Sequence, residues 1–383
     1  MVLKRINKAV LLVLFGMAGA MLFIPSPLFA QGEAAVPFLQ IAPNARADGM
    51  GEGGIGLADD ASAAHWNPAG LAFQRGQEVS LTHSNWLPQF QQADLFYDYL
   101  AYRNYMPEWG GTISGSITYL NLGEFTVTDK DPTPLATFKG YEFAVTGGYS
   151  AELSPSLGLG LNIRYIRSVL APFDVQNQGR EGIGSTASFD ISTLWKARPD
   201  LNIGVNLSNI GPKITYIDAA QADPIPTNLG LGFAYSPVVS QYNNITLIAD
   251  FNRLLVRRYP EIADSTFNPA TDKYVVNVIQ QPSVDGLPKA LITAWGDRAL
   301  QKITISGGVE YWYGYPKLIA LRFGYFYENP NTGNRKFMTF GAGIRYDVYG
   351  FDFSYLSAIE ENSPLAETLR FTLLISWGEV TPE

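Results

Sequence analysis

GGVEYWYGYPKLIALRFGYFYENPNTGNRKFMTFGAGIRYDVYGFDFSYLSAIEENSPLAETLRFTLLISW, residues 307–377, decides the fold. In its last segment Leu369, Phe371, Leu373, Ile375 and Trp377 alternate with Arg370, Thr372, Leu374 and Ser376. Successive residues of a strand point to opposite faces, so one face is apolar and the other mostly polar. The segment before it repeats the pattern: Met338, Phe340, Ala342, Ile344 and Tyr346 alternate with Thr339, Gly341, Gly343, Arg345 and Asp347. Small and charged residues therefore share a face, which suits a lumen that is closely packed or water-filled. The stretch reads as the last five strands of a β-barrel.

Composition agrees. Of 383 residues only 16% are charged and 13% are aromatic, with 37 Gly. A soluble chain carries about a quarter charged residues. Sparse charge, abundant Tyr and Phe, and no long apolar run after the N-terminus are features of a transmembrane β-barrel. The absence of Cys excludes disulfides and thiol chemistry, and two His leave little for a zinc site.

Lys4, Arg5 and Lys8 precede the apolar run Ala9–Ile24, and Leu28-Phe29-Ala30 offers a cleavage site, so residues 1–30 read as a secretory signal. The competing reading, a membrane anchor, is disfavoured by the short run and by Pro25 and Pro27. Removing those three cations takes the formal charge from −8 to −11, which disfavours a nucleic-acid partner. Export of a barrel implies the bacterial outer membrane.

Residues 31–77 differ in character from the rest of the chain. Asn44–Met50 and Asp59–Ala64 suggest short helices or turns among Gly49, Gly51, Gly53, Gly54 and Gly56, and His65–Gly70 closes the region with a turn. We expect a plug in the barrel mouth or lumen; a periplasmic tail is the alternative. From residue 78 to the C-terminus alternation predicts fourteen strands: Glu78–Leu87, Leu95–Tyr105, Gly111–Asn121, Gly140–Ala151, Ser156–Arg167, Ser185–Lys196, Leu201–Asn209, Thr227–Ser236, Asn244–Leu254, Lys302–Tyr313, Leu318–Glu328, Lys336–Asp347, Phe351–Ser357 and Glu367–Trp377. Strands of about ten residues cross a bilayer when tilted. Their connections alternate long and short, as extracellular loops and periplasmic turns do. Aromatic clusters such as Tyr97-Asp98-Tyr99 and Tyr311-Trp312-Tyr313 fit interfacial girdles, though aromatics favour strands anyway.

No catalytic constellation is visible. Asp59 and Asp60 would diverge on a helix and read as a solvated acidic turn. Glu142, Arg164, Asp190, Glu310, Arg322 and Arg345 alternate with outward apolar positions, so they are expected in the lumen, pairing across it or holding the plug. The Gly49–Gly56 run follows no strand and is not a phosphate loop. We expect no enzyme activity, no cofactor and no metal.

VPFLQIAPNARADGMGEGGIGLADDASAAHWNPAGLAF (36–73) resembles the N-terminal signature of the PorV/PorQ outer-membrane family, with Arg46, Met50, Trp66, Asn67 and Pro68 as its plug motif. GVEYWY (308–313), LRFGYFYENPNTGNRK (321–336), FGAGIRYDVYGFDFSYL (340–356) and NSPLAETLRF (362–371) resemble the PorV branch. Gly70 stands where many PorV-type sequences carry Lys. The resemblance implies a FadL-like barrel of the type IX secretion system. Its expected partners are the translocon barrel, the surface sortase complex and the C-terminal signal domains of secreted cargo, with outer-membrane lipid around it. Contacts are expected in loops 210–226 (Ile214, Tyr216, Ile217) and 255–301 (Val275, Val276, Leu291, Trp295), unless those loops fold over the mouth as a lid. The alternative is a FadL-type transporter of hydrophobic small molecules; inward faces of Gly, Ser, Thr, Asn and charge speak against it.

Overall fold

The computed structural model describes residues 34–378 apart from 91–93, 129–133, 173–180, 218–221, 260–261, 269–272, 281–282 and 297–298. The proposed signal, 1–30, lies outside the described residues. Fourteen antiparallel strands close into one barrel. They are β1 (Gln77–Asn85), β2 (Phe96–Met106), β3 (Gly111–Thr128), β4 (Pro134–Ser154), β5 (Leu157–Ala171), β6 (Gly182–Arg198) and β7 (Leu201–Ile210), then β8 (Asn228–Val239), β9 (Asn243–Leu254), β10 (Ile303–Tyr313), β11 (Ile319–Tyr327), β12 (Lys336–Tyr346), β13 (Tyr349–Ala358) and β14 (Thr368–Trp377). Each pairs with its sequence neighbour. Closure comes from β1 against β14, in register from Gln77↔Trp377 to Ser84↔Arg370. A closed barrel leaves no unpaired edge within the bilayer, the condition for a sheet to cross lipid.

The two faces are inverted relative to a soluble protein. Leu81, Ile163, Leu321, Ile344 and Leu373 are exposed on the outer wall. Ser80, Thr82, Asn162, Asp190, Thr339, Ser354 and Arg370 are buried on the inner one. Toward the long-loop end, aromatic rings form a row over β2 to β5: Phe96–Tyr119, Tyr119–Tyr141, Tyr141–Phe143 and Phe143–Tyr165, with centroids 5.9 to 6.4 Å apart. That row is placed as an interfacial girdle would be.

All fourteen expected strands are present, but β3 to β6 run well past the ends that alternation suggested. Most of 122–139 and both ends of 168–184, expected as loops, are strand. Glu124, Phe125 and Thr126 pair with Lys139, Phe138 and Thr137, and the two Phe rings stack at 5.4 Å. A register shift between Asn121 and Glu124, with Gly123 at φ +78°, breaks the period-two pattern where the sequence reading stopped. A comparable shift near Val169 does the same in β5. The 255–301 connection also has structure: Arg258–Tyr259 pairs with Ser283–Val284, Ile262–Asn268 pairs with Lys273–Gln280, and Leu287–Thr293 is a helix. Despite this insertion β9 and β10 pair directly, from Ile303↔Arg253 to Tyr313↔Asn243.

Candidate functional site: the plugged lumen and the cavity above it

The segment from Ala34 to Gly76 folds inside the barrel, bonded to strands around most of its circumference. Ala35 N–H donates to Pro224 O (2.9 Å), so the described chain begins beside loop 210–226, at the long-loop end of the barrel. Helix α1 (Ala45–Asp48) then lies against β12, β13 and β14. Ala45 N–H donates to Thr372 Oγ1 (3.0 Å) and Gly51 N–H to Thr339 Oγ1 (2.8 Å). On the opposite wall Gly54 and Ile55 N–H both donate to Asp250 Oδ2 (2.6 and 2.8 Å). Helix α2 (Ala63–Trp66) leads into Asn67 and the turn at Pro68–Phe73. Each short helix would be unstable alone; inward-facing hydroxyls and carboxylates satisfy backbone donors that the plug cannot satisfy itself.

The inward glycines have a steric reason. A Cβ on Gly160 would fall 2.2 Å from Ala69 N, one on Gly324 2.0 Å from Gly51 N, and one on Gly232 2.5 Å from Gly56 N. The wall and plug backbones touch, so of the two expectations for the lumen, packed or water-filled, the packed one holds at the plug's level. Gly70 follows the same rule: its Cβ would meet Ala58 O at 2.0 Å, leaving no room for Lys.

Ion pairs complete the seal. Arg46 is the hub: its Nε and Nη2 donate to Glu310 (2.8 Å each), and its Nη1 reaches Asp59 (2.6 Å) and Asp60 (2.9 Å). Glu310 also accepts from Arg322 (2.7 Å), which reaches Asp352 (2.8 Å), and Asp352 pairs with Arg345 (2.7 Å). Asp48 pairs with Arg370 and accepts from Ser354 Oγ (2.6 Å). The acidic turn is thus corrected. Asp59 and Asp60 are not helical and converge on one guanidinium, which holds the Asp60 carboxyl below its usual range against the opposing effect of burial. Arg164 pairs with Asp190 (2.9 Å), and Glu142, with no ion pair among the described residues, accepts from Ser168 Oγ (2.7 Å).

The motif residues divide the work. Met50 is buried with Ala234 and Ile248. Asn67 Nδ2 donates to Ile55 O (2.9 Å) and Thr193 O (3.1 Å) while its Oδ1 accepts from Ala69 N–H (3.1 Å), so one amide ties plug to plug and plug to wall. Ser150 Oγ donates to Pro68 O (2.6 Å). The Trp66 ring packs on Gly54, whose Cβ would come within 2.8 Å of it. The sequence reading missed Asp48, Asp250, Asp352 and Arg370; all but Asp48 share the alternation that singled out Glu310.

Loop 210–226 requires a second correction. Ile214 is fully buried, packing with Val36, Phe38 and Ile225, and is not a contact surface. Tyr216 is partly buried and donates to Ser168 Oγ (3.0 Å). Only Ile217 is exposed. The loop turns inward because the plug's first residues offer it an apolar seat. In the 255–301 region Leu291 is half-buried on the helix Leu287–Thr293, and Trp295 is exposed with the Arg253 guanidinium 5.8 Å from its ring centre. Val275 and Val276 lie on the hairpin strand Lys273–Gln280; their side chains lie outside the described residues.

Above the plug is a cavity of about 400 Å³. Its floor includes Glu52, His65 and Trp66, and its walls carry Asn206, Asn228 and Asn252, with Glu328 and Arg335 toward one side. Arg335 pairs with Glu328 (2.7 Å). Burial, with Arg164 nearby, lowers the His65 pKa to about 3, so its ring is neutral.

Residues 31–261, more than half of the chain, match the family described as "Type IX secretion system protein PorV". The chain belongs to that family. It is an outer-membrane β-barrel, and the plug is the part of the chain that carried the resemblance most densely. No curated protein matches it. Among solved structures it is similar to the Pseudomonas putida toluene transporter TodX (TM-score 0.55, 11% identity, covering 89% of this chain and 100% of that one). It is also similar to the Ralstonia pickettii toluene transporter TbuX (0.50, 12%, 87% and 98%) and to a Pseudomonas aeruginosa FadL homologue (0.47, 13%, 87% and 98%). At such identities the likeness to TodX and TbuX is one of fold.

Proposed function

We propose that this barrel binds the C-terminal signal domains of secreted cargo at the type IX translocon and carries them to the surface attachment complex, making no bond itself. The observation that supports this best is the sealed lumen. A plug bonded to the wall by Arg46–Glu310 and Asp48–Arg370, and touching it at glycines, leaves no route for a polypeptide, so protein must be handled at the extracellular rim. That rim presents Ile217, Ile292, Trp295 and Leu300, with Ile292 at 77% exposure. Exposed apolar side chains grouped on long loops mark contact surfaces. The helix bearing Ile292 is anchored to the barrel by Arg253, which donates to Ala294 O, so these groups sit on a fixed support. Export by the N-terminal signal and a surrounding shell of outer-membrane lipid belong to the same reading.

The transporter reading draws support from the fold shared with TodX. The cavity favours neither reading: Leu39, Ile55, Leu254 and Phe326 line it together with the asparagines and charged groups, so its lining is mixed.

The test is affinity purification from native outer membrane, comparing the unaltered barrel with the triple variant Ile292→Glu, Trp295→Glu and Leu300→Glu. The unaltered barrel should retain a very large translocon barrel, a sortase-like protein or proteins sharing a C-terminal domain. The variant should lose the cargo while keeping its heat stability. An unaltered barrel that comes down with acyl lipid alone would overturn the proposal in favour of the transporter.

A further inference from the structure

The cavity above the plug is not needed for cargo carriage at the rim, yet it is a partly open cleft of mixed lining, with Asn, Glu and Arg side chains beside Leu39, Ile55, Leu254 and Phe326. Its volume of about 400 Å³ falls within the span of small-ligand sites, roughly 300 to 1,000 Å³. Three features restrict what could occupy it. First, three amide side chains converge from adjacent strands, Asn206 on β7, Asn228 on β8 and Asn252 on β9, with Asn228 Nδ2 donating to Asn252 Oδ1 (2.9 Å). Asn206 is 4% exposed and its Nδ2 donates to Trp66 O (2.9 Å), but its Oδ1 is buried with no hydrogen-bond partner. A buried amide oxygen left in that condition costs about 1–3 kcal/mol, which a bound donor recovers when the amide turns its oxygen toward the cavity. Second, most of the charge at the cavity is paired, with Lys302 also in its lining. Arg164 is committed to Asp190 and Arg335 to Glu328, so no free guanidinium of theirs awaits an anion. No group of acids or His suited to a metal exists among the described residues. Third, Trp66 contributes an aromatic ring to the floor, held by Gly54 beneath it and by its indole N–H donating to Asn44 Oδ1 (3.4 Å).

Planar amides that bond hydroxyls in pairs, a carboxylate (Glu52) beside them, largely paired charge and the aromatic rings of Trp66 and Phe326 suit a molecule with many hydroxyls on one side and C–H groups on the other. We propose that this cavity is a binding site for a neutral saccharide of mono- to disaccharide size. The neutral His65 ring adds a hydroxyl partner that can donate from one nitrogen and accept at the other. The proposal does not depend on the secretion reading.

The test is saturation-transfer NMR on the intact barrel in a zwitterionic detergent, because alkyl maltosides would supply a competing sugar. The probes are N-acetylglucosamine, mannose and galactose, with tetra-alanine as a peptide control. Transfer to the ring protons of at least one sugar is expected. Asn206→Leu should weaken binding about tenfold, the loss of roughly one hydrogen bond. Asn252→Leu should weaken it similarly and, since Asn252 bonds no plug residue, guards against a folding defect in the first variant. No transfer to any of the three sugars, transfer undiminished in both variants, or transfer to tetra-alanine alone would overturn it.

Discussion

Removing Arg46 should unseat the plug without opening the barrel, and the size of the effect follows from its partners. The side chain is 7% exposed and faces Glu310, itself 1% exposed, as well as Asp59 and Asp60. Deleting one member of a buried ion pair costs about 3–5 kcal/mol, because the remaining charge is left desolvated. Glu310 keeps Arg322 at 2.7 Å, so Arg46→Met should fall at the low end, about 3 kcal/mol. Glu310→Gln should cost less, about 2 kcal/mol, since Arg46 retains two aspartates and Arg322 retains Asp352. The double variant should be hardly worse than Arg46→Met alone, giving a coupling energy of about 2 kcal/mol. The assay is urea unfolding in detergent micelles, alongside planar-bilayer conductance. Arg46→Met should show discrete openings, while the closed β-sheet, read by heat-modifiable gel mobility, persists. Additive single-variant costs with a silent bilayer would refute the argument that this hub holds the plug.

The steric seat is tested by Gly160→Val, which drives side-chain atoms into Ala69 and Pro68; conductance should rise and assembly yield fall, whereas Gly147→Val, with nothing within 4 Å of its Cβ, should behave as the unaltered barrel. Glu52 gives a pH dependence. Burial is the main cause of its pKa rise to about 7, with Asp48 and Glu328 also raising it and Arg370 and Arg335 opposing. Its folded-state pKa lies above the unfolded value of 4.5, so its contribution is complete below about pH 4.5 and is lost as pH rises through about 7. His65, depressed to about 3, acts in the other direction, its contribution being lost as pH falls below 6.5. Urea midpoints of the unaltered barrel minus those of Glu52→Gln isolate the first effect; a difference that does not decline between pH 4.5 and 7 would show that Glu52 does not titrate there.

The barrel was legible because its inner and outer faces differ in chemistry at a period of two, as in Leu369–Trp377, and a closed sheet needs little else to specify it. The strand ends were less legible. At Leu122–Gly123 a bulge shifts the register, so Phe125 and Phe138 pair beyond a point where simple alternation fails. Ile214 misleads for a related reason: an apolar residue in a loop looks the same in sequence whether it faces solvent or a plug some 180 residues earlier in the chain. The aspartates at 59 and 60 mislead when read locally, by their divergence on a helix, because their geometry is set by one distant guanidinium.

These errors have a common cause that bears on what the protein does. Alternation describes contacts between neighbouring strands, whereas the plug is held by contacts that skip the chain: Arg46 to Glu310, Asp48 to Arg370, Gly51 to Thr339. Each places a plug group against a different strand, so the plug seats fully only when β10 through β14 are in place. β14 is also the strand that closes on β1. Seating of the plug and closure of the barrel are therefore coupled through Arg370 and Thr372, and a barrel that has closed in the right register is one that is already sealed. For an outer-membrane barrel, this coupling keeps the membrane tight from the moment the last strand is added.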